Sequence, residues 1–310
     1  MRKLVALALL PWLLLSGCSG DEAEQQKSGS AVLRLGVMPS MDYLPLAVAQ
    51  REGRLSGRIK IVRFYSANER DSALQSRNID GTVTDLTGAM LHKAGGYDLR
   101  ITSRCDAPFY IVAGAGTGIT ALKELKGRSI AVSGHTVIDF CVDAALLLAG
   151  LTPEDVEKVE INKIPLRFEM LRNARVDATG LPDPLATMAR VAGDHILTDN
   201  RSMGFSVTGI VFSQQAIDAK ADLIGELYQG YNYGVEYLKK HTVMDVADIL
   251  KAEMGFTDDI LPHSSLTDYA RAAAPEEKDL HMAAVWLKRG GLIPQDFDPS
   301  LMVDARFVRP

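Results

Sequence analysis

The sequence has few cysteines, few aromatic residues and no long run of basic residues. Three cysteines occur among 310 residues, and aromatic residues make up 6% of the chain. The formal net charge is −5, so a polyanionic partner such as nucleic acid is disfavoured on electrostatic grounds. After the N-terminal segment there is no apolar run of about twenty residues, so we do not expect the body of the chain to span a membrane.

The motifs of common enzyme classes are also missing. There is no G-x-S-x-G elbow and no H-E-x-x-H pair, and the six histidines are scattered without the spacing of metal ligands. Cys105 and Cys141 lack that spacing as well, and an exported chain could either pair them or leave them free. We therefore expect no catalytic residue, no metal site and no cofactor.

The N-terminus has the features of an export signal. Arg2 and Lys3 precede an apolar run from Leu4 to Leu15, which is too short for a bilayer-spanning helix. The box Leu15-Ser16-Gly17-Cys18 resembles a bacterial lipoprotein signal, which implies cleavage before Cys18 and a lipid on its sulfur. The alternative is an ordinary secretory peptide. We predict a signal peptide over residues 1–17 and a flexible, polar tether over residues 18–30.

From Ala31 onward, short apolar runs alternate with amphipathic segments. This alternation predicts βαβ units and mainly parallel sheets. Helical periodicity is clear over residues 137–149, 217–237 and 243–254. The predicted strands are 33–37, 59–64, 81–86, 99–103, 109–113, 129–132, 159–164, 176–181 and 207–212.

The order of these segments predicts two lobes. Residues 31–108 and 207–310 form lobe 1, and residues 109–206 form lobe 2. The lobes are joined by two crossing strands, and a cleft between them would close on a small ligand by hinge motion. The glycine-rich stretch at residues 114–118 is best explained as a mobile connection, because it lacks the spacing of a phosphate-binding motif. The alternative is a single larger α/β domain.

Four stretches carry a family resemblance through their order and spacing. They are GVMPSMDYLPLAVA at 36–49, ALQSRNID at 73–80, ITALKELKG at 119–127, and LRNARVDA at 171–178 followed by Pro182-Asp183-Pro184. Together they resemble the substrate-binding proteins of ABC importers, in the branch of the sulfonate, nitrate and thiamine-pyrimidine binders. The resemblance implies an α/β fold of the type II periplasmic-binding-protein kind, with each lobe a mainly parallel sheet flanked by helices.

The resemblance also implies a function and partners. The chain would bind a small molecule outside the cytoplasm with high affinity and deliver it, by hinge closure, to the permease and ATPase subunits of an ABC importer. It would act as a monomer in the bacterial cell envelope. A lipid anchor would hold it on the membrane, facing the periplasm or the cell exterior.

Two positions depart from the family pattern. Glycine is common three residues before the aspartate in the turns at 77–80 and 174–177, and this sequence has Arg77 and Ala174 there. Glycine suits a left-handed helix end, so the local turn geometry is in doubt. Asp183 stands where glutamate is usual, one methylene shorter, which changes how the carboxylate reaches a ligand.

The stretch SGHTVIDF at 133–140 joins a predicted strand to a predicted helix. Thr136 can cap the helix, with Asp139 as its partner in an arrangement that resembles a capping box. Gly134 permits close approach of a ligand, and the amides at the helix start would point outward. In the resembled family this turn contacts the ligand, so Gly134, His135 and Thr136 are candidate binding residues; the alternative is a well-capped helix only.

Other loops at the carboxyl ends of strands should face the same cleft. For five residues in these loops a structural role is the alternative to ligand binding. Asp42 and Asp85 would cap helices, Tyr43 would be a packing aromatic, and Tyr65 and Phe109 would lie in the core. The remaining candidate binding residues are Ser40, Met41, Asp42, Tyr43, Tyr65, Ser66, Thr84, Asp85, Asp106 and Asp183.

This candidate set is rich in acids and aromatics. A sulfonate or nitrate site needs hydrogen-bond donors, whereas carboxylates and aromatic rings suit a ligand with N–H groups or partial positive charge. We therefore predict a flat nitrogenous ligand, such as a pyrimidine-type vitamin precursor. The alternatives are an anion binder, a ligand-sensing lipoprotein without a transporter, and an enzyme. A pyrimidine synthase and chorismate-dehydratase-like proteins share the fold, but the cysteine-rich motif of the former is missing and the latter normally lack an export signal.

Overall fold

A computed structural model describes residues 31–308 of the chain. The predicted signal peptide, tether and lipidated Cys18 lie outside the described residues. Within residues 31–308, none of the helices combines the length and the apolar character needed to cross a bilayer.

Two five-stranded sheets form the framework. The first has the order β2-β1-β3-β10-β4 and the second β7-β6-β8-β5-β9; with their flanking helices we call them lobe 1 and lobe 2. The strands are β1 (Leu33–Val37), β2 (Ile59–Arg63), β3 (Gly81–Asp85), β4 (Leu99–Arg104), β5 (Phe109–Ala113), β6 (Ser129–Val132), β7 (Glu157–Glu160), β8 (Ala178–Pro182), β9 (His195–Asp199) and β10 (Thr208–Ser213).

Each sheet combines parallel pairs with one inserted antiparallel strand. In lobe 1, β1 runs parallel to β2 and β3, and β10 lies antiparallel between β3 and β4. In lobe 2, β6 runs parallel to β7 and β8, and β5 lies antiparallel between β8 and β9. The predicted return of the chain to lobe 1 is therefore confirmed as β10. The predicted fold class is confirmed too, while the residue boundaries of the lobes stay a prediction.

Helices flank both sheets. They are α1 (Leu44–Arg51), α2 (Ala67–Gln75), α3 (Leu86–Ala94), α4 (Val137–Leu148), α5 (Ile164–Arg172), α6 (Leu185–Val191), α7 (Gln214–Leu238) and α8 (Glu277–Arg289). The single helix predicted over residues 243–254 is wrong. The chain forms three short helical turns instead, at Met244–Val246, Ala247–Ile249 and Leu250–Met254, because Val246 leaves helical geometry with φ −120° and ψ 15°.

The lobes share part of their hydrophobic core. One buried cluster contains Met90 from α3, Ile138 and Phe140 from α4, and Leu287 from α8. The Phe140 ring lies 5.5 Å from the ring of Trp286 in α8. Helix α4 of lobe 2 therefore packs directly on helices of lobe 1, and this contact brings the start of α4 close to the end of β3.

Helix α7 packs against α1 at a very short separation. A Cβ atom on Gly234 would lie 1.9 Å from the carbonyl oxygen of Pro45, which is far inside van der Waals contact. Only glycine fits at this crossing. On the same helix, a Cβ atom on Gly225 would meet nothing within 4 Å.

The two positions that depart from the family's glycine pattern keep the left-handed conformation. Arg77 has φ 61° and Ala174 has φ 51°. Both follow the C-terminal ends of helices, α2 and α5, where a left-handed residue closes the helix. The turns therefore keep their left-handed geometry. Because both residues carry a Cβ atom, this conformation is strained at each of them.

Cys105 and Cys141 are both buried and free. Burial raises the pKa of both thiols above the ordinary range. Of the two states that the sequence left open, the structure has the unpaired one.

Candidate ligand-binding site

The turn at residues 133–137 connects β6 to α4, as predicted. The Thr136 hydroxyl accepts a hydrogen bond from the Ile138 amide at 3.3 Å and donates one to the Ser133 carbonyl at 2.7 Å. Thr136 is therefore the N-cap that the sequence predicted. His135 is exposed and has φ 64°, a left-handed conformation that turns the chain into the helix.

The backbone amides of this turn are not free, which corrects the expectation that they point outward. Gly134 N donates to Glu160 Oε2 at 2.9 Å, and His135 N donates to Asp139 Oδ2 at 3.1 Å. The capping-box expectation needs correction as well, because Asp139 accepts from His135 rather than from the N-cap amide. Carboxylates of the protein thus already occupy the donors that would attract an anion.

The third carboxylate at this turn comes from the other lobe. Asp85 Oδ2 accepts a hydrogen bond from the Val137 amide at 3.1 Å, although Asp85 is the last residue of β3 in lobe 1. The prediction that Asp85 caps its own helix is wrong, since its side chain makes no capping bond to α3. Burial raises the pKa of Asp85, and the Arg70 charge and the Val137 amide act in the opposite direction.

Asp42 lies in the short helical turn before α1 and is buried. Its Oδ1 accepts from the Ala107 amide at 3.0 Å and from the Thr208 hydroxyl at 3.2 Å. Loss of solvation raises the pKa of Asp42 to about 7, and the nearby charges of Asp106 and Asp85 act in the same direction. Asp42 therefore does not cap α1; it joins lobe 1 to the segment that crosses to lobe 2.

Asp106 lies in that crossing segment and is paired. Its Oδ1 lies 3.1 Å from Nη1 of Arg201, and its Oδ2 accepts from the Ala270 amide at 2.9 Å. A small cavity of about 120 Å³ adjoins the pair, and Arg104 and Asp279 also line it. The positive charge of Arg201 thus offsets part of the Asp106 charge, so Asp106 attracts a cationic ligand less strongly.

Asp183 is the acidic residue that lobe 2 contributes to the candidate site. Its Oδ1 accepts from the amide and hydroxyl of Thr187 at 3.0 and 2.8 Å. Burial raises the pKa of Asp183, and the nearby Tyr110 hydroxyl acts to lower it. The carboxylate, one methylene shorter than the glutamate expected from the resemblance, is held close to the start of α6.

Tyr269 is the central residue that sequence reasoning missed. It is buried, and its hydroxyl donates to the Met41 carbonyl at 2.7 Å. Burial raises the pKa of its phenol, and Asp42, Asp106 and Asp183 lie close enough to raise it further. The charges of acids from lobe 1, from the crossing segment and from lobe 2 therefore act on one phenol. We call Asp42, Asp106, Asp183 and Tyr269 the acidic cluster.

A larger cavity lies beside the acidic cluster. Its volume is about 460 Å³, within the range of small-molecule pockets. Its wall consists of the C-terminal end of α7, of the residues that follow it up to Met244, and of the segment at 261–269, so Tyr269 also lines the cavity. Apolar side chains such as Leu238 and Leu261 alternate there with polar ones such as His241.

The other predicted residues are spread more widely. Tyr43 is buried and its hydroxyl donates to Glu253 Oε2 at 2.7 Å, in line with the packing alternative. Tyr65 is 78% exposed, so the core alternative for it is wrong. Thr84 is buried, and its hydroxyl has no hydrogen-bond partner among residues 31–308. Ser40 and Ser66 precede helical turns without forming side-chain caps.

Thus Met41 contacts Tyr269 directly, and the charges of Asp42, Asp106 and Asp183 act on its phenol. Asp85 contacts Val137, directly after the turn at 134–136, where the lobes meet, and Thr84 precedes Asp85 in β3. Phe109 is buried, in line with its core alternative. Across the described part of the chain, histidine, cysteine and acidic side chains form no group of three that could hold a metal ion.

The architecture and the position of these residues define the two-lobed fold of type II periplasmic binding proteins, and solved structures share it. The alkanesulfonate-binding protein SsuA from Xanthomonas axonopodis pv. citri is 19% identical, with a TM-score of 0.74 over 89% of this chain and 98% of its own. The periplasmic nitrate-binding protein NrtA from Synechocystis is 11% identical, with a TM-score of 0.71 over 90% of this chain and 87% of its own. The desulfurization enzyme DSZB is 15% identical, with a TM-score of 0.63 over 89% and 97%.

The family follows from the sequence. The model of the family described as "NMT1/THI5 like" matches residues 59–241. The chain belongs to the NMT1/THI5-like family, and this confirms the resemblance noted from its motifs. A comparison with curated proteins gives no match.

Proposed function

We propose that this protein is the extracytoplasmic binding component of an ABC importer. Family membership and the two-lobed fold support a small-molecule binder, and two of the similar structures are named for binding small ions or molecules. The ligand is held between the lobes, and the closed form is presented to a permease with its ATPase. Export and a lipid on Cys18, outside the described residues, place the protein on the bacterial envelope.

The ligand in this proposal is a flat nitrogenous molecule with N–H groups or partial positive charge. The observation that carries it is the acidic cluster, in which the carboxyl groups of Asp42 and Asp183 come from opposite lobes and both act on the Tyr269 phenol. Such carboxylates accept hydrogen bonds from N–H groups and repel anions, and a water-excluded cleft strengthens both effects. A pyrimidine-type vitamin precursor fits this chemistry.

Capture follows from the arrangement of the site. A ligand that contacts Asp42 in lobe 1 and Asp183 in lobe 2 at the same time stabilises the state in which both are close. A ligand that contacts only one lobe gives no such preference. The permease then distinguishes loaded from empty protein by the relative position of the lobes.

Thermal-shift screening tests the ligand class. One panel contains aminopyrimidines and other heterocyclic amines, and the second contains alkylsulfonates and nitrate. We expect stabilisation by members of the first panel only. Stabilisation by the second panel alone would contradict the ligand class and favour the anion binder that the names of the similar structures suggest.

An enzymatic role is the second candidate, because one protein of the same fold is named as a desulfurization enzyme. Mass spectrometry of the protein incubated with a stabilising compound separates the two. We expect the compound to be recovered unaltered. A product that appears with time, and not in a control with heat-denatured protein, would favour catalysis.

A further inference from the structure

The hydrogen bond between Asp85 and Val137 is one of several contacts that join the two lobes, and another runs from Trp286 Nε1 in α8 to Asp143 Oδ2 in α4 at 2.8 Å. Asp85 ends β3 in lobe 1, and Val137 is the first residue of α4 in lobe 2. The Oδ2 atom lies 3.1 Å from the Val137 nitrogen. The acceptor is a carboxylate and the donor is a helix N-terminal amide, a pairing that is stronger than a neutral hydrogen bond.

Neighbouring side chains do not compete with Asp85 for the Val137 amide. The N-cap hydroxyl of Thr136 is engaged with Ile138 and Ser133, so it does not reach the Val137 amide. The hydroxyls of Thr84 and Thr87, on either side of Asp85, are buried without partners among residues 31–308. Asp85 is therefore the group that satisfies the first amide of α4.

We propose that Asp85 is an internal ligand of lobe 2: its carboxylate occupies the place that an oxyanion would take at the start of α4. In this role it holds the lobes together in the absence of any bound molecule and bars oxyanions from this turn. The role in holding the lobes together is independent of the ligand class proposed above. The exclusion of oxyanions rests on that proposed function and extends it by naming a residue that selects against anions.

Two substitutions remove the bond from opposite sides. Asp85→Ala removes the acceptor. Val137→Pro removes the donor and should leave the helix intact, because proline is favoured at the first helical position. Thr136, which would precede the proline, already has the extended conformation that proline requires, with φ −101° and ψ 178°.

Matched controls separate the bond from other effects. Val137→Ala shortens the same buried side chain but keeps the amide. Asp177→Ala removes a carboxylate that accepts from the Ser129 amide at 2.9 Å within lobe 2. Each control costs packing or a hydrogen bond but keeps the bond between Asp85 and the Val137 amide.

The first measurement is small-angle X-ray scattering of the ligand-free protein. Asp85→Ala and Val137→Pro should each raise the radius of gyration, with the open population increased about tenfold or more, as expected for one lost charge-assisted hydrogen bond. The double variant should resemble the single ones, because both remove the same bond. Radii equal to wild type in both single variants would overturn the internal-ligand role. If Asp85→Ala does not fold, Val137→Pro against Val137→Ala decides the matter.

The second measurement is calorimetric titration with methanesulfonate. Asp85→Ala should gain affinity relative to wild type, and the double variant should lose that gain because the amide is gone. An equal gain in the double variant would overturn the exclusion of oxyanions at this turn. Tight binding of methanesulfonate by the wild type would contradict the proposed ligand class, while the scattering result would still decide whether Asp85 holds the lobes together.

Discussion

The hydroxyl of Tyr269 donates a 2.7 Å hydrogen bond to the carbonyl of Met41, across 228 positions of the sequence. This bond fixes the irregular segment after the helical turn at 261–263 against the loop that carries Asp42. The neighbouring amide of Ala270 is held in turn by Asp106. The segment thus gains its position from a few polar contacts rather than from regular structure.

Tyr269→Phe should loosen this segment without disturbing the rest of the fold. The change removes one buried hydrogen bond and leaves the Met41 carbonyl without its donor, at a cost of about 1–3 kcal/mol. Hydrogen exchange of the Ala270 and Ala272 amides should accelerate. Tyr233→Phe is the control. Tyr233 lies on α7, and its ring packs under Arg54 rather than in the acidic cluster. Unchanged exchange at both amides would show that the bond does not hold the segment.

Asp183→Asn should weaken binding of an N–H-rich or cationic ligand by about 1–3 kcal/mol, the scale of one charged hydrogen bond. The amide oxygen of asparagine can still accept from Thr187, so the start of α6 should be preserved. Calorimetry with a ligand found by screening measures the change. Asp177→Asn serves as a control outside the site. An affinity equal to wild type would remove Asp183 from the ligand contacts.

Asp42→Asn should stabilise the ligand-free protein in a pH-dependent way. Burial raises the pKa of Asp42 from 3.8 to about 7 in the folded state, so the folded protein binds this proton more tightly than the unfolded chain. Stability contributed by the protonated form is therefore lost as the pH rises from about 4 to about 7.

Asparagine cannot ionise, so the variant should escape this loss. We expect a gain on the order of 2–4 kcal/mol at about pH 8 and little change at about pH 4. Thermal unfolding at both pH values measures it. A gain of equal size at both values would point to better packing rather than to ionisation.

Gly234→Ala should destabilise the protein by about 1–3 kcal/mol or more, because the added methyl group meets the Pro45 backbone and overpacks the α1–α7 crossing. Gly225→Ala lies on the same helix in open space. It should leave stability unchanged or raise it by up to about 1 kcal/mol, the difference in helix propensity. Chemical denaturation of both variants measures the contrast, and similar losses in the two would contradict the close approach.

Ala174→Gly should stabilise the protein by roughly 1 kcal/mol, because glycine adopts the left-handed conformation at this position without a Cβ penalty. The side chain is exposed, so no packing is lost. Ala73→Gly, inside α2, should have the opposite effect. A loss of stability at position 174 would mean that the left-handed turn is not strained.

The sequence predicts much of the fold because the relevant signals are local. The strand at Leu33–Val37 and the capped start of α4 at Thr136 follow from short apolar runs and one hydroxyl, and both agree with the structure. The helical periodicity of residues 243–254 continues across Val246. The sequence therefore gives no sign of the break in helical geometry at that residue.

The candidate site depends on contacts that no local pattern encodes. Asp85 looks like the cap of its own helix in sequence, but it bonds to an amide 52 positions away. Tyr269 lies in a stretch without periodicity, and only the folded chain places it against Met41. The amides at 134 and 135 look free until Glu160 and Asp139 are placed beside them.

The insertion of β10 between β3 and β4 sets an order for synthesis and folding. All strands of lobe 2 leave the ribosome before residues 208–213 do, so the sheet of lobe 2 has its full set of strands while that of lobe 1 still lacks the strand between β3 and β4. Lobe 1 carries unpaired strand edges on β3 and β4 during that interval, the kind of surface on which nascent chains aggregate. Lobe 1, which contains the first strand to be synthesised, is therefore the lobe whose sheet is completed last.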